Sequence, residues 1–138
     1  METKRLPSQI ELNNIWHGIH PDLPDFKFEW SSIRTNSAGT IFGDKRLIRL
    51  SVKHYLEFGS SIITDTLKHE AAHYLAWIKH NDRGHGKWFW YYSGMLGASR
   101  HCQPLSASMR EVKVEIVGKR DSNGIEYNPV TKRFRQRR

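Results

Sequence analysis

The sequence predicts an α+β fold, and three observations carry that prediction. Apolar residues recur with the helical period around residues 8–20 and 60–81, which predicts two helices. Apolar and polar residues alternate in "DFKFEWSSIR" and in "REVKVEIVG", which predicts strands. Asn123-Gly124 follows the second of these segments and is a typical turn of a β-hairpin.

The first helix is expected in "SQIELNNIWHGIHPDLP" and ends at its two prolines, Pro21 and Pro24. A small antiparallel sheet follows, made of the "DFKFEWSSIR" strand and of one or two strands in "TIFGDKRLIRLSV", broken at Gly43-Asp44. Residues 53–59 form a short helix or a loop.

The long helix in "SSIITDTLKHEAAHYLAWIKHN" begins at Ser60 or Ser61, whose hydroxyls are good N-caps, and Asp65 suits its first turns. Its end is expected at Asn81–Gly84. A second helix is expected from about Lys87 to Met95. Four of its residues share a face that we expect to be buried: Trp88, Tyr91, Tyr92 and Met95.

The chain is basic, with a net charge of +8, and seven of its 22 Lys and Arg residues lie in the last 20 positions. This excess predicts a polyanionic partner, nucleic acid first. We expect a core at 1–104 and a basic β-hairpin and tail at 105–138. Five tail residues are predicted to bind phosphates: Lys132, Arg133, Arg135, Arg137 and Arg138.

Several classes of protein are excluded by composition. Cys102 is the single cysteine, which rules out an internal disulfide and a four-cysteine zinc site. No apolar run approaches the roughly 20 residues that span a bilayer, so no membrane partner is expected. The N-terminus has no signal-peptide pattern. We expect a cytoplasmic protein, or a nuclear one in a eukaryote.

The long helix carries the motif "HEAAH". His69 and His73 lie one turn apart on one face, so both imidazoles can bind a single metal ion. Glu70 is displaced around the helix and can act on a metal-bound water without being a ligand. The expected ion is one Zn²⁺ per chain, which needs a third protein ligand. His85 is favoured because a chain reversal precedes it, with His101 and His80 as alternatives.

"HEAAH", followed by "HGKWF" twelve residues later, resembles the SprT-like zinc metalloprotease family, which includes the Spartan-type DNA–protein crosslink proteases. "SSIRTNSAGTIFGDKRLIRLS" resembles that family's strand pair, and the likeness covers about residues 8–100. It implies a compact zincin fold with zinc held by His69, His73 and His85. It also implies Glu70 as general base, DNA-bound proteins as substrates, and single-stranded DNA as the activator. The chain departs from many members in lacking a cysteine zinc ribbon.

Other residues have roles that the sequence predicts less specifically. Arg34 is expected either to bind substrate or DNA, or to pair with a carboxylate. Trp90 packs in the core, stacks on an unpaired base or lines a substrate cleft. His17, His20 and His54 are expected at the surface. Four residues are candidates for stabilising an oxyanion: Tyr74, Tyr91, Tyr92 and His101.

The function predicted from these features is a zinc-dependent endopeptidase that cleaves DNA-associated proteins. The alternative is a DNA-binding module in which zinc is structural and no peptide is cut. A third reading is a peptidase that acts on a regulator without DNA. The sequence does not indicate an oligomeric state.

Overall fold

The computed structural model describes the backbone of residues 4–34, 36–99, 104–121 and 124–131, and side chains as far as Val114. It confirms the α+β class. A 3₁₀ turn at Gly43–Lys45 joins β3 to β4. The helices and strands, in chain order, are β1 Lys4–Leu6, α1 Gln9–Ile19, β2 Lys27–Ser31, β3 Gly39–Phe42, β4 Leu47–Ser51, α2 Val52–Phe58, α3 Ser60–His80, α4 Lys87–Leu96, α5 Ala107–Arg110, β5 Val112–Asp121 and β6 Gly124–Thr131.

The sheet beside the long helix has the strand order β2-β4-β3. The prediction of an antiparallel sheet is wrong for one pair, because β2 and β4 run parallel, with Phe28 opposite Ile48. The 3₁₀ turn reverses the chain after β3, so β4 returns in the direction of β2 and enters between the two earlier strands. As a result β3 is an edge strand of this sheet.

A second sheet, β1-β6-β5, is antiparallel throughout. The predicted hairpin is present as β5 and β6, and the short strand β1, which the sequence pattern did not predict, pairs with β6 along Lys4–Leu6. The short helix α5 was also not predicted. The five predicted phosphate-binding residues of the tail, with His101 and Cys102, lie outside the described residues.

The core forms where α1 and α3 pack with the β2-β4-β3 sheet. Trp16 of α1 and Phe28 of β2 are fully buried, and their rings meet edge to face at 6.3 Å. On α3, Leu67, Ala71 and Leu75 recur every four residues and are fully buried. This buried stripe fixes the rotation of α3 and therefore the direction in which its histidines point.

The ends of α3 agree only in part with the prediction. Neither Ser60 nor Ser61 caps the helix: Gly59, at φ +78°, is the N-cap residue, and Ser60 is already helical. Asp65 lies in the second turn, within the first turns as predicted, and its carboxylate accepts a hydrogen bond from Ser99 N at 2.8 Å. The predicted stop is confirmed, because Asn81 adopts the left-handed conformation that ends the helix.

The buried face of α4 differs from the predicted one. Phe89 and Tyr92 are buried, whereas Tyr91 and Met95 are 55% and 51% exposed. Asp82 sets this rotation, because its carboxylate accepts hydrogen bonds from the first backbone N–H groups of the helix, including that of Trp88 at 2.9 Å. No helix among the described residues has the length and apolar character needed to cross a membrane.

Gly43 lies against the ring of Trp77. A Cβ on Gly43 would lie 2.6 Å from a ring carbon of Trp77, well inside contact distance. We expect Gly43→Ala to displace the indole and to lower the free energy of unfolding by about 1–3 kcal/mol. Gly18→Ala is the control for an added methyl group without a clash, since a Cβ there meets nothing within 4 Å; because Gly18 lies in α1, we expect this variant to gain up to about 1 kcal/mol. Urea unfolding of both variants and of the wild type checks the prediction, and a Gly43→Ala protein as stable as the wild type would contradict it.

His54 is buried, at 2% exposure, so the prediction of a surface residue is wrong for it. Its Nδ1 lies 2.7 Å from Ser51 Oγ, and Ser51 in turn donates to the backbone carbonyl of Arg34. A single histidine without a second histidine at a regular spacing gives no sequence signal that its side chain is buried. His17, by contrast, is exposed, as predicted, and lies 2.6 Å from Asp25.

Burial lowers the pKa of His54 below its ordinary value. As the pH falls through about 6.5, the unfolded chain binds a proton that folded His54 resists, so the folded state loses stability. We expect the urea midpoint to fall less between pH 7.5 and pH 5.5 in His54→Gln than in the wild type. The same fall in both proteins would exclude His54 as a contributor.

Candidate metal centre

His69 and His73 project from the same face of α3, with ring centroids 4.9 Å apart. The fully buried Ala72 between them belongs to the core, which leaves the two imidazoles at the cleft side of the helix. The helical spacing of four residues is what brings the rings one above the other.

His85 joins them from the loop between α3 and α4. The left-handed Asn81 turns the chain back, and Asp82 anchors the start of α4. The ring of His85 lies 5.6 Å from that of His69 and 4.8 Å from that of His73. One nitrogen of each imidazole lies within 4.8 Å of the other two, so the three histidines could hold a metal ion.

Gly86 allows the loop to fold this tightly. A Cβ at this position would lie 2.6 Å from Asp82 Oδ1, so a larger residue would displace the carboxylate that anchors α4. His85 and the start of α4 are therefore positioned by the same carboxylate and the same glycine.

Phe89 forms the apolar floor of the histidine cluster. Its fully buried ring stacks on His73 at 4.3 Å and lies 5.0 Å from His69 and 4.6 Å from His85. A ring in contact with all three imidazoles restricts their rotation and keeps water from one side of the cluster.

His80, an alternative third ligand, lies elsewhere. It stacks on Trp88 with ring centroids 3.6 Å apart and an interplanar angle of 3°. Its Nε2 is 3.1 Å from the hydroxyl of Tyr92. His80 therefore supports the packing of α3 on α4, away from the three-histidine cluster.

The cluster favours uncharged imidazoles. Burial, aided by the nearby His69 and His85, lowers the pKa of His73 to about 4. Burial and His85 also lower the pKa of His69. The backbone carbonyl of Gly84 favours the charged form of His73 and so opposes part of this lowering of its pKa. Neutral, oriented imidazoles are the form that binds transition metals.

Glu70 lies beside the cluster and lines the same cleft. Its side chain is buried, and burial raises its pKa to about 8, opposed in part by the positive charge of Arg34. Such a carboxyl group exchanges a proton near neutral pH, and a cation bound by the histidines would favour its ionised form.

Arg34 does not meet a carboxylate among its described hydrogen-bond partners. Its Nη1 donates to the hydroxyls of Ser37, at 3.1 Å, and of Thr40, at 2.6 Å. These contacts tie the loop after β2 to β3. Two strand arginines do pair with carboxylates: Arg49 Nη2 lies 3.1 Å from Glu29, and Arg5 Nη2 lies 3.4 Å from Glu11.

The histidines and Glu70 form one wall of an open cleft of about 470 Å³. The edge strand β3 with the turn that follows it, Trp77 and Arg83 also line the cleft. The Arg83 guanidinium lies 4.9 Å from the centre of the Trp77 ring. The sequence reading missed both residues, although Trp77 follows His73 by four positions and so shares its face.

Of the residues considered for an oxyanion role, Tyr74 lines the cleft. Tyr92 is buried against His80, and Tyr91 is 55% exposed. The side chain of Tyr74 is itself mostly buried, with its ring 5.2 Å from Phe26 and 6.0 Å from Trp77. Tyr74 is thus the described tyrosine that borders the space where a substrate would lie.

Comparison with known proteins gives a consistent result. The sequence model of the SprT-like family matches residues 8–111. Protein SprT of Escherichia fergusonii is 33% identical over 110 residues, which are 70% of this chain and 66% of that protein. Protein SprT-like of Oceanobacillus iheyensis is 30% identical over 119 residues, or 79% of this chain and 76% of that protein. No solved structure matched the chain.

The chain spans just under two thirds of the length of the Escherichia fergusonii protein, and 76% of the Oceanobacillus iheyensis protein. The family match covers α1 to α5 and therefore includes all three histidines and Glu70. The chain belongs to the SprT-like family.

Proposed function

We propose that the chain is a zinc-dependent endopeptidase that cleaves proteins associated with DNA. One observation carries the proposal: three imidazoles that favour the neutral form converge beside a buried glutamate in an open cleft. Family membership agrees with it. His85 is exposed, so the cluster is accessible from the cleft.

The donor set fits zinc. Among the described residues the cluster consists of three histidines, with no thiolate and no carboxylate. Three protein ligands are typical of catalytic zinc sites, which keep a fourth position for water or substrate. Zinc bound by His69, His73 and His85 would acidify a water molecule and polarise the scissile carbonyl. Phe89 would hold the imidazoles and exclude bulk water beneath them.

Glu70 supplies the proton transfer. Its carboxylate takes a proton from the attacking water and donates it to the leaving amine. A group in an apolar setting, with a pKa near the working pH, is suited to both steps. Tyr74, which lines the cleft, is the proposed hydrogen-bond donor to the carbonyl oxygen of a bound peptide.

The edge strand β3 favours a polypeptide substrate. In the described part of the chain it pairs with β4 alone, so its other edge can form main-chain hydrogen bonds with an extended peptide. Such a peptide would lie along Gly39–Phe42, which lines the same cleft as the histidines. This arrangement would present the backbone of the peptide to Glu70. Because the hydrogen bonds involve the main chain, the arrangement does not depend on the side chains of the peptide.

The DNA part of the proposal depends on charge. A net charge of +8 favours a polyanion, and the predicted tail contacts (Lys132, Arg133, Arg135, Arg137 and Arg138) would bring a DNA-bound protein to the cleft. Binding through such contacts weakens steeply as salt is raised.

The test is proteolysis of a DNA-bound protein by zinc-loaded, metal-stripped and zinc-restored enzyme, each with and without DNA. We expect cleavage to disappear on chelation, to return with zinc and to be faster with DNA. Cleavage that survives complete metal removal would overturn the zinc mechanism. Equal rates with and without DNA would instead support a peptidase that acts without DNA.

A further inference from the structure

One end of the cleft carries a positive charge that no described carboxylate neutralises. The guanidinium of Arg83 lies over the ring of Trp77, 4.9 Å from its centre, and both residues line the cleft. Within the described part of the chain, Arg83 forms no ion pair and donates no side-chain hydrogen bond. Because the residue is exposed, its N–H donors remain available to a ligand in the cleft.

The other cations that lie over aromatic rings differ from Arg83. Arg49 lies over a ring as well, but its guanidinium is already paired with Glu29 at 3.1 Å. Lys87 lies over the ring of its neighbour in α4, and it does not line the cleft. Of these three cations, Arg83 is therefore the one that both borders the candidate site and lacks a described anionic partner.

The ring beneath Arg83 is held in place by its surroundings. The backbone at Gly43 lies so close to Trp77 that a Cβ there would be 2.6 Å from a ring carbon. The ring of Tyr74, one turn earlier on α3, lies 6.0 Å from that of Trp77 at an interplanar angle of 72°. A confined ring gives the guanidinium a defined position, so a ligand does not have to order a freely moving side chain.

The packing of β3 on α3 places this pair relative to the metal centre. A Cβ on Gly39 would lie 2.7 Å from Thr66 Cγ2, whereas a Cβ on Gly43 would meet Trp77. The strand therefore runs alongside the helix in the same direction, and the histidines of α3 lie between these two contacts. Trp77 lies one helical turn beyond His73, a distance of about two residues of an extended peptide.

A second charge borders the same end of the cleft. Asp44 lines it from the turn after β3, but in the described residues it forms no ion pair with Arg83. No described hydrogen bond holds the Asp44 carboxylate in place, and the residue is exposed. Arg83 is the charge with a defined position, and so the one suited to select a ligand by its geometry.

We propose that Arg83, held over Trp77, binds a carboxylate side chain of the substrate, so that the cleft prefers polypeptides with Asp or Glu about two residues from the scissile bond. A planar guanidinium matches a carboxylate through two parallel N–H···O bonds. The inference rests on the proposed peptidase function for its biological sense, although the binding itself requires no catalysis.

The test uses pairs of labelled, DNA-free peptides that are identical except for Glu or Gln at one position, which is moved along the peptide from pair to pair. The full zinc-loaded chain cleaves them, and mass spectrometry locates the cut. We expect kcat/KM to be about 3- to 10-fold higher for Glu than for Gln at one position near the cut. Raised salt should reduce this ratio.

Substitutions at Arg83 decide whether the preference comes from its charge. Arg83→Gln should bring the Glu-to-Gln ratio to about one, and Arg83→Glu should reverse the preference, so that Lys is favoured at the same position. Lys45→Gln is the matched control, because Lys45 is an exposed cation on the turn after β3 that does not line the cleft. It should keep the wild-type ratio. Zinc content verifies that the metal centre is intact in every variant.

Binding measurements separate the carboxylate subsite from the reaction. The same peptides are titrated by fluorescence anisotropy into zinc-loaded Glu70→Gln protein, with and without Arg83→Gln. If Glu is preferred in an Arg83-dependent manner while the wild-type chain cleaves nothing, this inference holds and the peptidase function fails. If peptides are cleaved with equal kcat/KM for Glu and Gln, or with a ratio that survives Arg83→Gln, the subsite is wrong and the peptidase function stands. A wild-type preference for Lys would also overturn the subsite, in favour of Asp44.

Discussion

Glu70→Gln is expected to lower the peptidase rate by about 10²–10⁴-fold while zinc content stays at the wild-type level. Glutamine has nearly the same shape but cannot accept the proton of the attacking water. Because burial raises the pKa of Glu70 to about 8, the metal-free protein already holds a neutral side chain at this position near pH 7. The replacement should therefore leave the fold intact.

The measurement is the rate of cleavage of a DNA-bound protein, paired with metal analysis of the same samples. Glu111→Gln is the control, since Glu111 is an exposed carboxylate at the end of α5. Undiminished proteolysis by zinc-loaded Glu70→Gln would show that Glu70 is not the general base. Zinc loss in this variant would instead make Glu70 a determinant of metal binding.

His85→Ala is expected to remove zinc and with it all zinc-dependent cleavage. Two histidines on α3 would remain as ligands. Removing a group that supports a ligand from the outer shell lowers metal affinity about 10–100-fold, and removing a direct ligand is expected to lower it further. His80→Ala is the matched control, because His80 stacks on Trp88 rather than joining the cluster. We expect that variant to keep about one zinc per chain.

Metal analysis of both variants after dialysis decides between the two histidines. Zinc retained by His85→Ala and lost by His80→Ala would reverse the assignment. Zinc retained by both would move the third ligand to His101, which lies outside the described residues, and His101→Ala would then be the next variant.

Local patterns predicted the parts of the site that lie within one helix. The spacing of His69 and His73 is enough to place both imidazoles on one face, and the turn at Asn81 explains why His85 can return to them. The cleft could not be predicted in this way. The part of it lined by Gly39–Phe42 depends on which strand becomes the sheet edge, and that is decided by non-local pairing.

The aromatic run from Trp88 to Tyr92 shows a second limit. Rings occupy every side of α4, so periodicity cannot select the buried face. The contact of Asp82 with the start of α4 selects it, burying Phe89 and Tyr92 and exposing Tyr91. His54 is similar, because its burial depends on Ser51 and the loop at Arg34.

The central claim is an open zinc site with three histidine ligands, and X-ray absorption at the zinc edge of the wild-type protein tests it most directly. The account predicts about one zinc per chain, with three nitrogen neighbours and one oxygen at about 2.0–2.2 Å. A closed shell of four protein ligands, or a sulfur neighbour near 2.3 Å from Cys102, would contradict it. Either result would favour a DNA-binding module with structural zinc.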